Sequence, residues 1–216
     1  MRNTPHFSLA DEVIVRALET GAFPSACLLV GRGERVLYRR AYGRLSIDDD
    51  APLTNEHTRY DLASVTKPLV VGMLTLRAME AGKLCLWDRL GTFLDAPADK
   101  RDITIAQILT HTAGFPTGLH LWELSDRPEN SAETILSAPL ISPPGARVRY
   151  CCAGFILLGQ LLECLYGMDL KELAMKEVFW PLKMRDTGYL PQDGNIAATE
   201  MQDDGRCLQG VVHDEN

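Results

Sequence analysis

Ser64-Val65-Thr66-Lys67 sets a hydroxyl and an amine three residues apart, followed at once by Pro68. A serine hydroxyl is a poor nucleophile until a neighbouring base takes its proton, and a lysine becomes that base when burial or nearby positive charge lowers its pKa. Proline is tolerated in a first helical turn but not in a helix interior, so a helix is predicted to begin at or just before Ser64. There the i to i+3 spacing puts Ser64 and Lys67 on one face, and the free N–H groups of the helix start favour developing negative charge. Taken alone, the four residues fit plainer roles better, with Ser64 a simple N-cap and Lys67 a solvated first-turn residue. With eight Ser and six Lys in 216 residues, one such match is unremarkable.

Tyr150 is the second candidate. It follows Pro143-Pro144-Gly145-Ala146-Arg147-Val148-Arg149 and precedes Cys151-Cys152 and a long apolar run. A turn, a short extended piece and a buried helix would hold Tyr150 at a helix rim. Its phenol can relay a proton when a nearby cation such as a lysine stabilises the phenolate. A tyrosine whose ring packs and whose hydroxyl reaches water is the simpler role for it in isolation.

The elements that must position these groups are legible from periodicity. Ser8 to Gly21 reads as an amphipathic helix capped by Ser8 and stopped by glycine. Ser25–Val30 and Val36–Tyr42 read as paired strands joined by a four-residue loop, Gly31 to Glu34. From about Ser64 the pattern turns helical. Pro68 to Gly82 and Thr104 to Thr110 are predicted helices, with His111 and Gly114 at the end of the second. Ala153 to Leu165 is almost continuously apolar and is expected to be a buried central helix. Asp169 with Glu172 opens another helix, which Trp180-Pro181 ends. One hairpin is the only sheet to be found, and an isolated hairpin is marginal in water.

Hydrophobic residues make up 46% and charged residues 24%, an ordinary globular balance. The net charge of −7 argues against nucleic acid, because phosphate binding needs a basic face. No run approaches the roughly 18–20 apolar residues of a membrane span, and Asp11, Glu12 and Glu19 interrupt any leader in the first thirty residues. The expectation is a soluble, cytoplasmic protein with no membrane association. Its six cysteines (Cys27, Cys85, Cys151, Cys152, Cys164, Cys207) then read as reduced thiols, most of them small buried residues. No cysteine pair has zinc-ligand spacing, so no metal and no cofactor is expected. Cys151 has only Arg149 nearby to lower its pKa and is expected to be inert. Trp87 and Trp180 are expected in the core. His111 reads as a capping and packing residue, and His120 and Trp122 lie in a stretch that could line a cleft.

The ordered series of motifs, rather than any one of them, resembles a known family. Phe23-Pro24-Ser25-Ala26, Asp61-Leu62-Ala63-Ser64-Val65-Thr66-Lys67 and His111-Thr112-Ala113-Gly114 are followed by Pro144-Gly145 leading to Tyr150. Gly154-Phe155-Ile156-Leu157-Leu158-Gly159 and Pro181-Leu182-Lys183-Met184 complete it. The series resembles the serine β-lactamase and penicillin-binding-protein superfamily, in its class C β-lactamase and esterase branch, from about Ala10 to the last residue. The resemblance implies an α/β (α+β) fold: an antiparallel sheet domain with flanking helices beside a mostly helical domain, the site lying between them. On this reading residues 1–60 begin the sheet domain and 61–216 form the helical one. Ser64 would form an acyl-enzyme, Lys67 would be its base or proton relay, Tyr150 the second proton carrier, and the Ser64 backbone N–H one oxyanion donor.

Two departures bear on activity. Relatives in this branch carry Tyr-x-Asn, whose amide contacts substrate; here that substrate-binding position is Cys152, which cannot donate the same hydrogen bonds. The third motif, Lys-Thr-Gly or His-x-Gly, occurs nowhere in the 216 residues. In relatives it lies on a later strand, and Val212 to Asn216 looks like the loop leading toward it. The chain is therefore expected to be the N-terminal part of a longer hydrolase, with further strands beyond 216. The sequence reading is a metal-independent serine hydrolase acting on a small ester, amide or β-lactam. Its rival is a catalytically silent member that binds ligands or partners in the same cleft.

Overall fold

The computed structural model describes residues 7–124, 130–192 and 194–213. They fall into two compact units, the first formed by residues up to Asp61 with Tyr189–His213, the second by Leu62–Gly188.

In the first unit, α1 (Ser8–Glu19) is followed by β1 (Ser25–Arg32) and β2 (Arg35–Gly43). Ser8 does not cap α1; Phe7 holds the cap position without a side-chain bond, so the helix starts one residue earlier than a serine cap requires. Instead α1 is tied to β2 through Asp11, which accepts the hydroxyls of Tyr38 (2.6 Å) and Tyr42 and the Arg40 guanidinium (3.1 Å). These donors hold the Asp11 carboxyl below the usual carboxylate range, the Tyr38 bond first among them. The hairpin is antiparallel, with Ser25 opposite Gly43 and Arg32 opposite Arg35. Its turn is therefore Gly33-Glu34, two residues rather than the expected four, made possible by Gly33 at φ +59°. A register shift between Val30 and Gly31 leaves Leu37 as the extra residue of β2.

Residues 189–213 join this unit, whereas the sequence reading placed them with the helices. Ile196 pairs with Arg59 in a parallel bridge, Ala198 N–H donates to Leu45 C=O (2.7 Å), and Ile196 and Ala197 are buried. A second antiparallel pair, β3 (Glu200–Met201) with β4 (Cys207–Leu208), was not legible, because two-residue strands carry no alternation to read. Of the loop expected at the end of the chain, residues 214–216 lie outside the described residues.

The second unit is helical and is built around α6 (Ala153–Tyr166). Leu157, Leu158, Leu161 and Leu162 of α6 are fully buried, each burial contributing roughly 1.5–3 kcal/mol. Against α6 pack α3 (Ile105–Leu109), α5 (Ser131–Ser137) and α7 (Leu170–Ala174), while α2 (Met73–Glu80) meets the turn that follows α7 and α4 (Leu121–Leu124) meets α5. Gly154 lets α6 approach α3, since a Cβ there would stand 3.2 Å from Ile108 Cγ2. Asp169 caps α7 by accepting from the N–H groups of Lys171 and Glu172.

The tryptophan expectations fail. Trp87 is 75% and Trp180 67% exposed. In the segment leading to Leu90 the buried positions are Leu84 and Leu90, which turns Trp87 outward. Beyond α7 the inward stripe is filled by Leu173, Ala174, Val178 and Phe179, and Trp180 falls past it. The cysteines are free thiols, but only Cys151 is buried; Cys27, Cys85 and Cys164 are exposed and Cys152 and Cys207 half-buried. Small size permits burial but does not choose the face.

Candidate active site

Ser64 lies in a single 3₁₀ turn, Ala63–Val65, at the head of one continuous helical rod. The rod continues as a wide π-type turn, Lys67–Gly72, and then as α2. Pro68 sits in the first turn after Lys67, as its missing N–H requires. Ala63 adopts φ +44°, a left-handed conformation that costs a residue with a Cβ about 1–2 kcal/mol. Such strain immediately before Ser64 is of the kind held in place by surrounding structure at functional sites.

Three sequence-predicted residues meet here. Lys67 Nζ lies 3.2 Å from Ser64 Oγ, and Tyr150 donates its hydroxyl to the same oxygen at 2.7 Å. The ammonium also stands 5.2 Å from the centroid of the Tyr150 ring. Ser64 is exposed, Lys67 half-buried, and Tyr150 52% exposed, so the hydroxyl cluster is open to an incoming molecule. Burial, the largest single influence on Lys67, pushes its pKa down. Hydrogen bonding to Tyr150 and the neighbouring Cys152 outweigh it and hold Lys67 above the ordinary lysine value. The net direction is upward, so the surroundings favour the ammonium form of Lys67 over the pKa-lowered amine of the sequence reading.

Tyr150 is brought 86 residues from Ser64 by a relay of backbone contacts. Thr104 and Gln107 form a reciprocal capping box at the start of α3. Past the end of that helix, Thr112 C=O accepts from Gly145 N–H (2.8 Å) and His111 C=O from Arg149 N–H (2.8 Å). Gly114, at φ +85°, lets the chain at Ser142 come close: a Cβ there would lie 2.2 Å from Ser142 O. The piece carrying Tyr150 is therefore laid along the exit of α3.

Cys152 follows at the foot of α6 and lines two cavities. One, about 260 Å³, is bounded by Lys67, Val71, Phe155, Ile156 and Leu170 among others. The other, about 90 Å³, is bounded by Pro116, Leu119, Leu121 and Ile156. The stretch before α4 thus borders a cavity beside Cys152, while His120 itself is exposed and the side chain of Trp122 lies outside the described residues. Burial raises the Cys151 pKa, which keeps that thiol inert. No group of three or more His, Cys, Asp or Glu able to hold a metal occurs among the described residues.

His111 is the residue whose part the sequence understated. Its ring lies 4.6 Å from that of Tyr150 and 5.0 Å from that of Phe155, and its Nδ1 accepts from Cys151 N–H at 3.4 Å. Burial, with the Lys67 charge second, lowers its pKa below 6.5. The sequence signals for it were its place at a predicted helix end and at the head of His111-Thr112-Ala113-Gly114 in the motif series.

Comparison with known proteins identifies a family and a fold. The profile of the family described as Beta-lactamase matches residues 10–206. An N-acetylmuramyl-L-alanine amidase of Bacillus subtilis (strain 168) is 28% identical over an alignment covering 99% of this chain and 57% of its own. The structure of EstCE1, a hydrolase with promiscuous acyltransferase activity, is 27% identical with a TM-score of 0.77, covering 94% of this chain and 58% of its own. The octameric penicillin-binding protein homologue from Pyrococcus abyssi shares the fold, with a TM-score of 0.78 at 20% identity over 96% of this chain and 51% of its own. The chain spans about half the length of the curated relatives it matches.

Proposed function

Because the chain belongs to the beta-lactamase family, we propose that it supplies the nucleophile and proton carriers of a serine hydrolase acting by acyl transfer on a small ester or amide. The observation that carries this reading is the convergence of Lys67 Nζ and Tyr150 OH on one oxygen, Ser64 Oγ. With one proton of the Tyr150–Lys67 pair first given up to solvent, Ser64 would attack the carbonyl carbon as its own proton passes to that pair, and the pair would return a proton to the leaving alcohol or amine. Water, deprotonated by the same groups, would then release the acid and regenerate Ser64. Lys67 would relay the proton and stabilise negative charge developing on the Tyr150 and Ser64 oxygens, which it stands beside.

Cys152 favours esters over β-lactams and peptides within this reading. A thiol cannot supply the amide hydrogen bonds of the Tyr-x-Asn pattern, and an ester depends on them least. The same residue is what favours a second reading, a member that binds ligands without turning them over.

A fluorophosphonate probe separates the two. Incubation with the chain, followed by peptide mass spectrometry, is expected to show the adduct on Ser64 and its loss in Ser64→Ala. A wild-type chain that stays unlabelled while folded would favour the silent, ligand-binding reading.

A further inference from the structure

His111 occupies a position where glycine would be the natural choice. It follows the end of α3 at φ +56°, the left-handed region that a side chain makes unfavourable. A residue kept there at that cost is expected to do something with its side chain, and its contacts converge on one neighbour. Its carbonyl takes the N–H of the residue before Tyr150, its Nδ1 takes the N–H of the residue after, and its ring packs against the Tyr150 ring itself. Phe155 of α6 backs the imidazole from the buried side.

We propose that His111, as a neutral imidazole protonated on Nε2, is the positioning residue that sets the Tyr150 hydroxyl on Ser64. With Nδ1 accepting from a backbone N–H, the ring proton must sit on Nε2. Protonation of Nδ1 would turn that contact into two opposed donors. It would also add a cation facing Lys67 of the helical rod; the other titratable groups against the ring are Tyr150 and Cys151. The hydroxyl of Tyr150 would then lose its registration on Ser64. This deepens the hydrolase reading, and it rests on that reading only for its kinetic consequence.

Two measurements on the full chain test it. With ¹³Cζ-labelled tyrosine, the Tyr150 resonance, assigned by its absence in Tyr150→Phe, is expected to show an inflection below pH 6.5 that His111→Phe removes. His111→Asn, which tolerates the left-handed backbone and keeps an acceptor oxygen, is expected to retain the resonance position without the inflection. In parallel, the rate of fluorophosphonate labelling of Ser64 at pH 7.5 is expected to fall roughly 10- to 100-fold in His111→Phe, the scale of a misplaced catalytic group. A Tyr150 resonance that neither titrates with His111 nor moves in either variant overturns the proposal. If the resonance behaves as expected while wild-type Ser64 is never labelled, the positioning stands and the hydrolase reading fails.

Discussion

At the scale of single residues, the chemistry rests on an oxygen with two hydrogen-bonded neighbours of different kinds. Burial pushes the Lys67 pKa down, and its neighbours Tyr150 and Cys152 push it up by more. Tyr150 is the carrier that can be removed cleanly. Its ring is half exposed and meets His111, so Tyr150→Phe keeps the packing and deletes only the bond to Ser64. Labelling of Ser64 is expected to slow by about 10²–10⁴-fold, the usual worth of a placed acid or base, with a thermal midpoint close to the parent's. A labelling rate within threefold of wild type would remove Tyr150 from the mechanism. Ser64, Lys67 and Tyr150 were readable as candidates through the ordered series of motifs around them, since each taken alone fits a plainer role. His111 was readable as a residue at a helix end and as the head of a motif but not as a partner of Tyr150, since the contacts that join them lie 38 and more positions away and no periodicity encodes them.

At the scale of elements, the site depends on how closely two chain segments approach near Gly114. A methyl group there would stand 2.2 Å from Ser142 O, against backbone rather than a movable side chain, and the φ of +85° is already unfavourable for any other residue. Gly114→Ala is therefore expected to cost about 2–3 kcal/mol, at the upper end of ordinary single substitutions, measured by urea unfolding. Because Ile141, Ser142 and Gly145 lead directly to Tyr150, the surviving folded fraction is also expected to label more slowly. A variant as stable as the parent would show that the segment yields without strain. The long apolar run of α6, the proline at the head of the Ser64 rod and the Asp169 cap were legible because helix periodicity and termini are local rules. The outward Trp87 and Trp180 were not, because hydrophobicity says that a ring profits from burial but not whether its own face of the element has a neighbour.

At the scale of the molecule, each unit carries a group that links stability to acid. In the first, Asp11 has its carboxyl pKa lowered by Tyr38, Tyr42 and Arg40. A lowered carboxylate contributes stability that is present above its unfolded value of 3.8 and lost as pH falls through the folded value. In the second, His111 has its pKa lowered from 6.5, so the unfolded chain binds the proton first. Its contribution is complete above pH 6.5 and declines as pH falls from there toward the folded value. Stability is thus expected to decrease in two stages on acidification, a shallow one below pH 6.5 that His111→Asn reduces and a later one below about 4 that Asp11→Asn reduces. Thermal midpoints measured from pH 7.5 to 3 check both, and a profile flat between 6.5 and 5 in wild type would contradict the first. By itself the sequence determined the hairpin and five of the helices, because these follow from local periodicity and caps; the mixed α/β class and the candidate groups Ser64, Lys67 and Tyr150 came from the ordered motifs that resemble a known family. Only the tertiary structure decided that Tyr150 reaches Ser64, that Lys67 stands beside both, that residues 189–213 pack with the hairpin unit, and that His111 stands behind Tyr150. Each of those depends on contacts between segments far apart in the chain, whose energies arise from burial and hydrogen bonding that no window of residues contains.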